Sequence, residues 1–330
     1  MDLTTRYLGF ELPHPLIPGA SPLADDLDSA KRLEDAGAPM IVLRSLFEEQ
    51  LNYEQMAVQH GIDAHEEAFA EALTYLPEPE GFRFGPEAYL NHLARLKGAL
   101  GIPVVGSLNG TTPGGWVGYA RQIEEAGADA LELNLFVVAT DPKESSTVLE
   151  ERLLTLVRAV RAAVAIPLAV KVSPFFTALP HFAAGLDAAG ADAVVLFNRF
   201  YEPDVDVRDQ QVVKSLQLST STELLPRLHA LAIVSGRTRM ALAVTGGVHT
   251  GLDALKSVMC GAHGIQVVSA LLRHGPARLA VLRSQLAHVL EQYEYDSLEQ
   301  VRGSMSLLRA PNPTAYERVN YMQILQSWRG

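Results

Sequence analysis

Four times along the chain a helix-period segment closes on the same punctuation: Glu34-Asp-Ala-Gly-Ala38, Glu125-Ala-Gly-Ala-Asp129, Ala188-Ala-Gly-Ala-Asp192 and Cys260-Gly-Ala-His263. Each sets a glycine where a helix has to stop, just before an apolar run. Glycine enters the left-handed backbone region without steric cost, so the pattern reads as a C-terminal helix cap feeding a strand. Gly101-Ile-Pro103 and Ala165-Ile-Pro167 look like similar entries into strands three and five. Short apolar strands alternating with helices in this way give βα units and a parallel sheet.

Eight such strands can be placed: Leu16–Ala20, Met40–Ser45, Pro103–Leu108, Ala130–Phe136, Pro167–Ser173, Ala193–Asn198, Ala241–Thr245 and Gly264–Ser269. Eight is the number that closes a barrel whose interior side chains can fill. An N-terminal hairpin precedes them, Leu3–Leu8 and Glu11–Leu12 around a turn at Gly9. With 330 residues, 48% of them hydrophobic, the chain reads as one (β/α)8 TIM barrel over residues 1–330, and no linker divides it. Two connections exceed plain βα loops. Phe47–Glu87, after strand two, carries an acidic helix-like part (Glu66–Leu73) and the run Tyr75–Phe82; Arg199–Thr222 follows strand six. Both leave the C-terminal ends of strands and are read as lid loops.

A net charge of −11 argues against nucleic acid and anionic membrane surfaces as partners. Cys260 is the only cysteine, which leaves no disulfide and no multi-cysteine metal site. No apolar run approaches the roughly 18 residues of a membrane span. The expectation is a cytoplasmic protein with no metal that takes a small-molecule substrate.

The strand Ala241–Thr245 breaks into Gly246-Gly247, and Gly264–Val268 into Ser269-Ala270. Small residues at the ends of strands seven and eight let main-chain amides approach an anion, with a helix N-terminus behind them. In a barrel of this type that corner is the phosphate site. Polar residues interrupt the other strand ends: Ser21, Arg44, Ser45, Ser107, Asn109, Asn134, Lys171, Ser173 and Asn198. Lys171 lies in the otherwise apolar run Leu168-Ala-Val-Lys-Val172, and a lysine entering a barrel needs a partner. A bound anion or Glu132 on the neighbouring strand could serve, and the catalytic-face position favours function. Asn134 and Asn198 offer amide donors and acceptors that suit a heterocycle; either could also cap the following helix.

In this order the motifs resemble the dihydroorotate dehydrogenase family, in its class 1 flavoprotein branch, across nearly the whole chain. The resemblance rests on Pro18-Gly-Ala-Ser21, Glu132-Leu-Asn-Leu135, Val170-Lys-Val-Ser-Pro174, Phe197-Asn198, Thr245-Gly-Gly-Val248, Ile265-Gln-Val-Val-Ser-Ala270 and the tail Ser297–Gly303. It implies FMN, with the phosphate on Gly246, Gly247, Val268 and Ser269. Ala20 and Ser21 would line the ring, with Ser45, Ser107, Asn134 and Asn198 nearby. Lys171 and Asn134 would be the catalytic pair around the reduced flavin. Arg44, in place of a family lysine, would touch flavin and substrate, and Arg44, Asn134, Asn198 and Arg199 would hold a small anionic substrate. Relatives of this kind act as homodimers or beside an iron–sulfur subunit, so the resemblance leaves a homodimer and such a pairing both open.

One stretch departs from the family. Where the family reads Asn-Leu-Ser-Cys-Pro-Asn, this chain has Asn134-Leu-Phe-Val-Val-Ala139, so Val137 stands at the position of the cysteine base. Valine cannot accept a proton. Thr140, Asp141, Ser173 and Tyr201 are the substitutes that lid position suggests, whereas Cys260, before strand eight, reads as a packing residue. The resulting expectation is an FMN-dependent oxidoreductase on a CH–CH group. The alternatives are a flavin-free isomerase or aldolase using Lys171 as a Schiff-base nucleophile, and an inert flavin binder.

Overall fold

The computed structural model describes residues 1–47, 86–109, 113–199, 203–213 and 216–327. A hairpin of β1 (Thr5–Tyr7) and β2 (Phe10–Leu12) opens the chain. The strands that follow are β3 (Leu16–Pro18), β4 (Ile41–Val42), β5 (Leu46–Phe47), β6 (Val104–Asn109), β7 (Ala130–Leu135), β8 (Leu168–Val172) and β9 (Ala193–Leu196). Next come an exposed hairpin of β10 (Asp204–Asp206) and β11 (Gln211–Val213), then β12 (Ala241–Thr245) and β13 (Gly264–Val267). The parallel sheet runs β3-β13-β12-β9-β8-β7-β6-β4, with β5 continuing the line of β4 along β6, and β3 lies beside β4. This is a nearly closed ring of eight parallel strand positions with helices between them, a (β/α)8 barrel.

All eight expected strands form, in the expected order. The second, expected over Met40–Ser45, is a strand only at Ile41–Val42 (β4); after a break at Leu43–Ser45 the chain pairs again just beyond the expected range as β5. Most of the first long connection lies outside the described residues, including Glu66–Leu73 and Tyr75–Phe82.

The helices are α1 (Leu27–Asp35), α2 (Pro86–Ala99), α3 (Pro113–Glu125), α4 (Ser146–Ala163), α5 (Leu179–Ala188), α6 (Leu224–Val234), α7 (Gly251–Met259), α8 (Ser269–His274), α9 (Arg278–Gln292), α10 (Leu298–Val301) and α11 (Arg318–Ser327). The repeated glycines end α1, α3, α5 and α7, with φ of +90° at Gly37, +94° at Gly127, +91° at Gly190 and +117° at Gly261. The aspartates after two of these turns add a clamp. Asp129 accepts the backbone N–H of Val104 at 2.7 Å, and Asp192 that of Leu168 at 2.8 Å, so each turn is tied to the start of an adjacent strand.

Alternation along the strands separates two cores. Leu131, Leu133, Leu168, Val170, Val194 and Leu196 face the helices, while Ala130, Ala169, Ala193 and Ala243 point into the barrel with Ile17, Val42 and Val105. The inner residues are small because the hairpin's Tyr7 fills the floor: a Cβ on Gly264 would lie 3.3 Å from its ring. Two residues further along four of the strands the inward positions turn polar, at Ser107, Glu132, Lys171 and Gln266, while β9 keeps the apolar Val195. Period-two geometry thus converts a dry floor into a polar layer beneath the catalytic face.

Two histidines hold the strand starts as neutral rings. His14 donates through Nε2 to the Gly37 carbonyl at 2.8 Å and accepts the Leu16 N–H through Nδ1 at 3.3 Å. His263 accepts the Leu242 N–H at 3.1 Å. Burial pushes both pKa values down to about 4, with Arg302 adding to the effect at His263 and a backbone bond opposing it at His14. The unfolded chain would take up these protons near the ordinary histidine value of about 6.5, and the folded chain only near 4. Stability is therefore expected to be full above pH 6.5 and to fall as pH drops toward 4, by up to about 3 kcal/mol per histidine. Urea unfolding at pH 7, 5.5 and 4.5 checks this; a His14→Gln variant should show a shallower acid decline.

Candidate active site

At the C-terminal ends of the barrel strands lies a cavity of about 440 Å³, within the range of small-molecule sites. Its lining gathers Ala20, Ser21, Arg44, Ser45, Asn134, Lys171, Asn198, Arg199, Gly246, Val268 and Ser269 from seven separate strand ends. Two other sequence-predicted residues stand just behind it. Ser107 shares a hydrogen bond with Ser45, Oγ to Oγ at 2.7 Å, and Gly247 follows Gly246 at the end of β12.

Lys171 takes the partner offered by the neighbouring strand and also faces the cavity. It lines the cavity while only 7% exposed, and its Nζ donates to Glu132 Oε1 at 3.2 Å and to Gln266 Oε1 at 3.3 Å. The Gln266 amide in turn donates to the other oxygen of Glu132. A lysine, a glutamate and a glutamine from three strands thus form one buried network under the cavity floor. Asn198 donates through Nδ2 to Asn134 Oδ1 at 2.7 Å. Neither asparagine caps a helix: Ser145 caps α4, and Thr220 opens the turn before α6. The asparagines hold each other at the cavity wall.

Arg44 is anchored rather than reaching freely. Its guanidinium forms an ion pair with Asp25, with Nε 3.3 Å from Oδ1. Ser107 is braced from below by Tyr89 on α2, whose hydroxyl donates to the Ser107 carbonyl at 3.1 Å and accepts its N–H at 2.9 Å. Burial holds the Tyr89 phenol above its ordinary pKa.

The glycine corner is shaped by close approach. Gly246 and Gly247 have φ of +87° and +84°, and a Cβ on Gly247 would lie 2.5 Å from the backbone nitrogen of Leu224, where α6 begins. Gly19 is also closely packed, since a Cβ there would meet the Val268 side chain at 2.9 Å. The segment after β11 returns over this corner. Ser219 accepts the Gly247 N–H on its Oγ at 3.2 Å, donates its own N–H to Ser269 Oγ at 3.1 Å, and lies 3.3 Å from His249 Nε2. Burial, and then Arg273, keeps the His249 pKa below its ordinary value. Arg273 holds the same segment through the Leu218 carbonyl at 2.9 Å.

Several lining residues went unread in the sequence: Phe47, Leu216, Leu218, Ser219, Glu223, Arg227 and Leu272. Five of them belong to residues 216–227, which the second long connection delivers to the catalytic face. Glu223 is the one carboxylate among the described lining residues. Glu223 and Arg227 sit four apart at the start of α6, a spacing that could have flagged them. Val137 lies elsewhere. It lines a separate apolar groove with Trp116 of α3 and Leu153 and Leu156 of α4. Thr140 and Asp141 are exposed outside the cavity lining, Ser173 faces a neighbouring groove with Phe175 and Phe176, and Tyr201 is outside the described residues. Cys260 is buried at the end of α7, where burial raises its thiol pKa to about 11, so it is a packing residue.

A parallel barrel with a cationic, glycine-cornered cavity over its C-terminal face defines a ligand-binding barrel of the kind many enzymes use. Comparison with known proteins narrows this. Residues 59–290 match the family model for dihydroorotate dehydrogenase, which is more than half the chain. The chain belongs to the dihydroorotate dehydrogenase family. It is 24% identical over 318 residues to the catalytic subunit of dihydroorotate dehydrogenase B (NAD(+)) of Thermoplasma acidophilum, covering 92% of this chain and 98% of that one. The corresponding subunit of Methanocella arvoryzae is 27% identical over 285 residues, 82% of this chain and 87% of the other. Dihydroorotate dehydrogenase A (fumarate) of Lacticaseibacillus paracasei is 28% identical over 182 residues, 51% and 60% of the two chains. These findings make the protein a dihydroorotate dehydrogenase-like oxidoreductase. Among the described residues no helix is long and apolar enough to cross a membrane.

Proposed function

We propose that the protein is an FMN-dependent oxidoreductase that acts on a CH–CH bond of dihydroorotate or a related small anion, without the thiol base usual in its family. The observation that carries the proposal is the single cavity shared by Lys171, Asn134, Asn198 and the Gly246–Ser269 corner. The residues suit FMN. The Gly247 N–H and the Ser269 hydroxyl stand at the corner as donors for a phosphate tail, while the Cβ space of Gly247 and Gly19 is taken up by Leu224 and by the Val268 and Gln266 side chains.

When bound, FMN supplies a two-electron hydride acceptor. The chain's residues would do the rest. Gly246, Gly247, Val268 and Ser269 would hold the phosphate, the Gly247 amide and Ser269 hydroxyl exchanging or sharing their present bonds to Ser219. Ala20, Ser21 and Ser45 would border the ring, and Ser107 would fix Ser45. Lys171, held in place by Glu132 and Gln266, would present a cation to the reduced ring. The Asn134–Asn198 pair would orient the substrate through amide hydrogen bonds, and Arg44 and Arg199 would engage its carboxylate.

Val137, turned into the α3–α4 groove, removes the family's proton acceptor, so the substrate proton would have to leave by another route. Slow turnover of dihydroorotate, or a related substrate in its place, is the consequence. The flavin-free alternative needs Lys171 as a free amine, whereas Lys171 is engaged in an ion pair with Glu132. A homodimer is part of the same proposal and rests on family membership.

The purified protein is expected to be yellow, with flavin absorbance released on denaturation. After photoreduction it should be reoxidised by at least one of a quinone, fumarate, a nicotinamide or oxygen. A colourless preparation that takes up no added FMN would overturn the proposal, and a yellow one that no acceptor reoxidises would favour an inert flavin binder.

A further inference from the structure

We propose that Arg227 is a phosphate-recognising residue that makes this cavity select a phosphorylated flavin over the unphosphorylated one; the inference rests on the flavin reading above. Arg227 lies on α6, one turn after the point where that helix meets Gly247. Its side chain folds back to the end of β12. There Nε donates to the Thr245 carbonyl at 2.5 Å, and Nη1 donates to the Glu223 carbonyl at 2.6 Å.

These two bonds fix the plane of the guanidinium and bring Nη2 against Gly246, where a Cβ would stand 3.0 Å from it. The head group is therefore held at the glycine corner before any ligand arrives. Arg227 lines the cavity together with Arg199 and Glu223. Its pKa is lowered mainly by burial; Glu223 opposes the shift and Arg199 adds to it. The guanidiniums of Arg227 and Arg199 lie close enough to repel each other, and a dianion at the corner would offset that repulsion.

Backbone amides can orient a phosphate without neutralising it. A guanidinium adds the charge in a planar fork that matches phosphate oxygens. Riboflavin, which lacks the phosphate, would gain nothing from Arg227.

The experiment titrates the apo forms of the wild-type protein, Arg227→Gln and Arg227→Lys with FMN and with riboflavin, read by quenching of flavin fluorescence. The wild type should bind FMN at least about tenfold more tightly than riboflavin, the scale of one charge-assisted hydrogen bond. Arg227→Gln should lose about tenfold to a hundredfold in FMN affinity with riboflavin affinity unchanged, and Arg227→Lys should regain part of the loss. Equal FMN affinity in the wild type and Arg227→Gln overturns the assignment while leaving the flavin reading intact. A parallel loss of both flavins overturns it as well, because it reports a structural role through Thr245. A wild type that binds neither flavin overturns the flavin reading itself, and the inference with it.

Discussion

Replacing Lys171 with methionine is expected to destabilise the fold by about 3–5 kcal/mol, because it strands a buried carboxylate. Glu132 is 1% exposed, with Lys171 Nζ at 3.2 Å and the Gln266 amide as its partners. The double variant Lys171→Met/Glu132→Gln should recover most of the loss, since it removes the uncompensated charge along with its partner. Urea unfolding of the wild type, the single variant and the double variant separates these cases. A single variant that unfolds at the wild-type midpoint would mean that the network is not closed in solution. On the flavin reading, both variants should also lose retained FMN or lower its reduction potential, because each lacks the cation.

The second large effect is expected at Gly247. An alanine there would have to adopt φ near +84° and set its Cβ 2.5 Å from the backbone nitrogen of Leu224, which has no flexible end to yield. Left-handed strain together with displacement of the start of α6 should cost about 2–4 kcal/mol. Because α6 carries Arg227 and begins just after Glu223, the displacement would also open the glycine corner, and FMN binding should fall further than stability alone implies. Thermal unfolding together with FMN titration of Gly247→Ala checks both. Wild-type values in both would show that α6 can move away without consequence.

The strand positions were legible because each is short, apolar and fenced by a helix-ending glycine. Those signals are local and survive without knowledge of neighbours. The site residues on strands were legible for a related reason. In a barrel every strand's C-terminal end converges on one face, so a polar residue closing an apolar run has little choice of destination. Eleven of the predicted residues line one cavity on this account. Ser219, Glu223 and Arg227 escaped because they sit on a returning segment and a helix start, where nothing local says how far the chain folds back. Val137 has no group that can accept a proton, whatever its surroundings. That its side chain turns toward Trp116, into the α3–α4 groove, depended on helix packing.

The order of residues was sufficient, by itself, for the barrel and its polar strand-end face, since these follow from periodicity and from residue types at strand ends, and its motifs carried the resemblance to the family. Tertiary structure alone decided which partner each polar group takes: Glu132 for Lys171, Asp25 for Arg44, Ser219 for Gly247 and the Thr245 carbonyl for Arg227. Hydrogen bonds and ion pairs depend on distances of a few ångströms between segments far apart in the chain, and only the closed ring sets those distances.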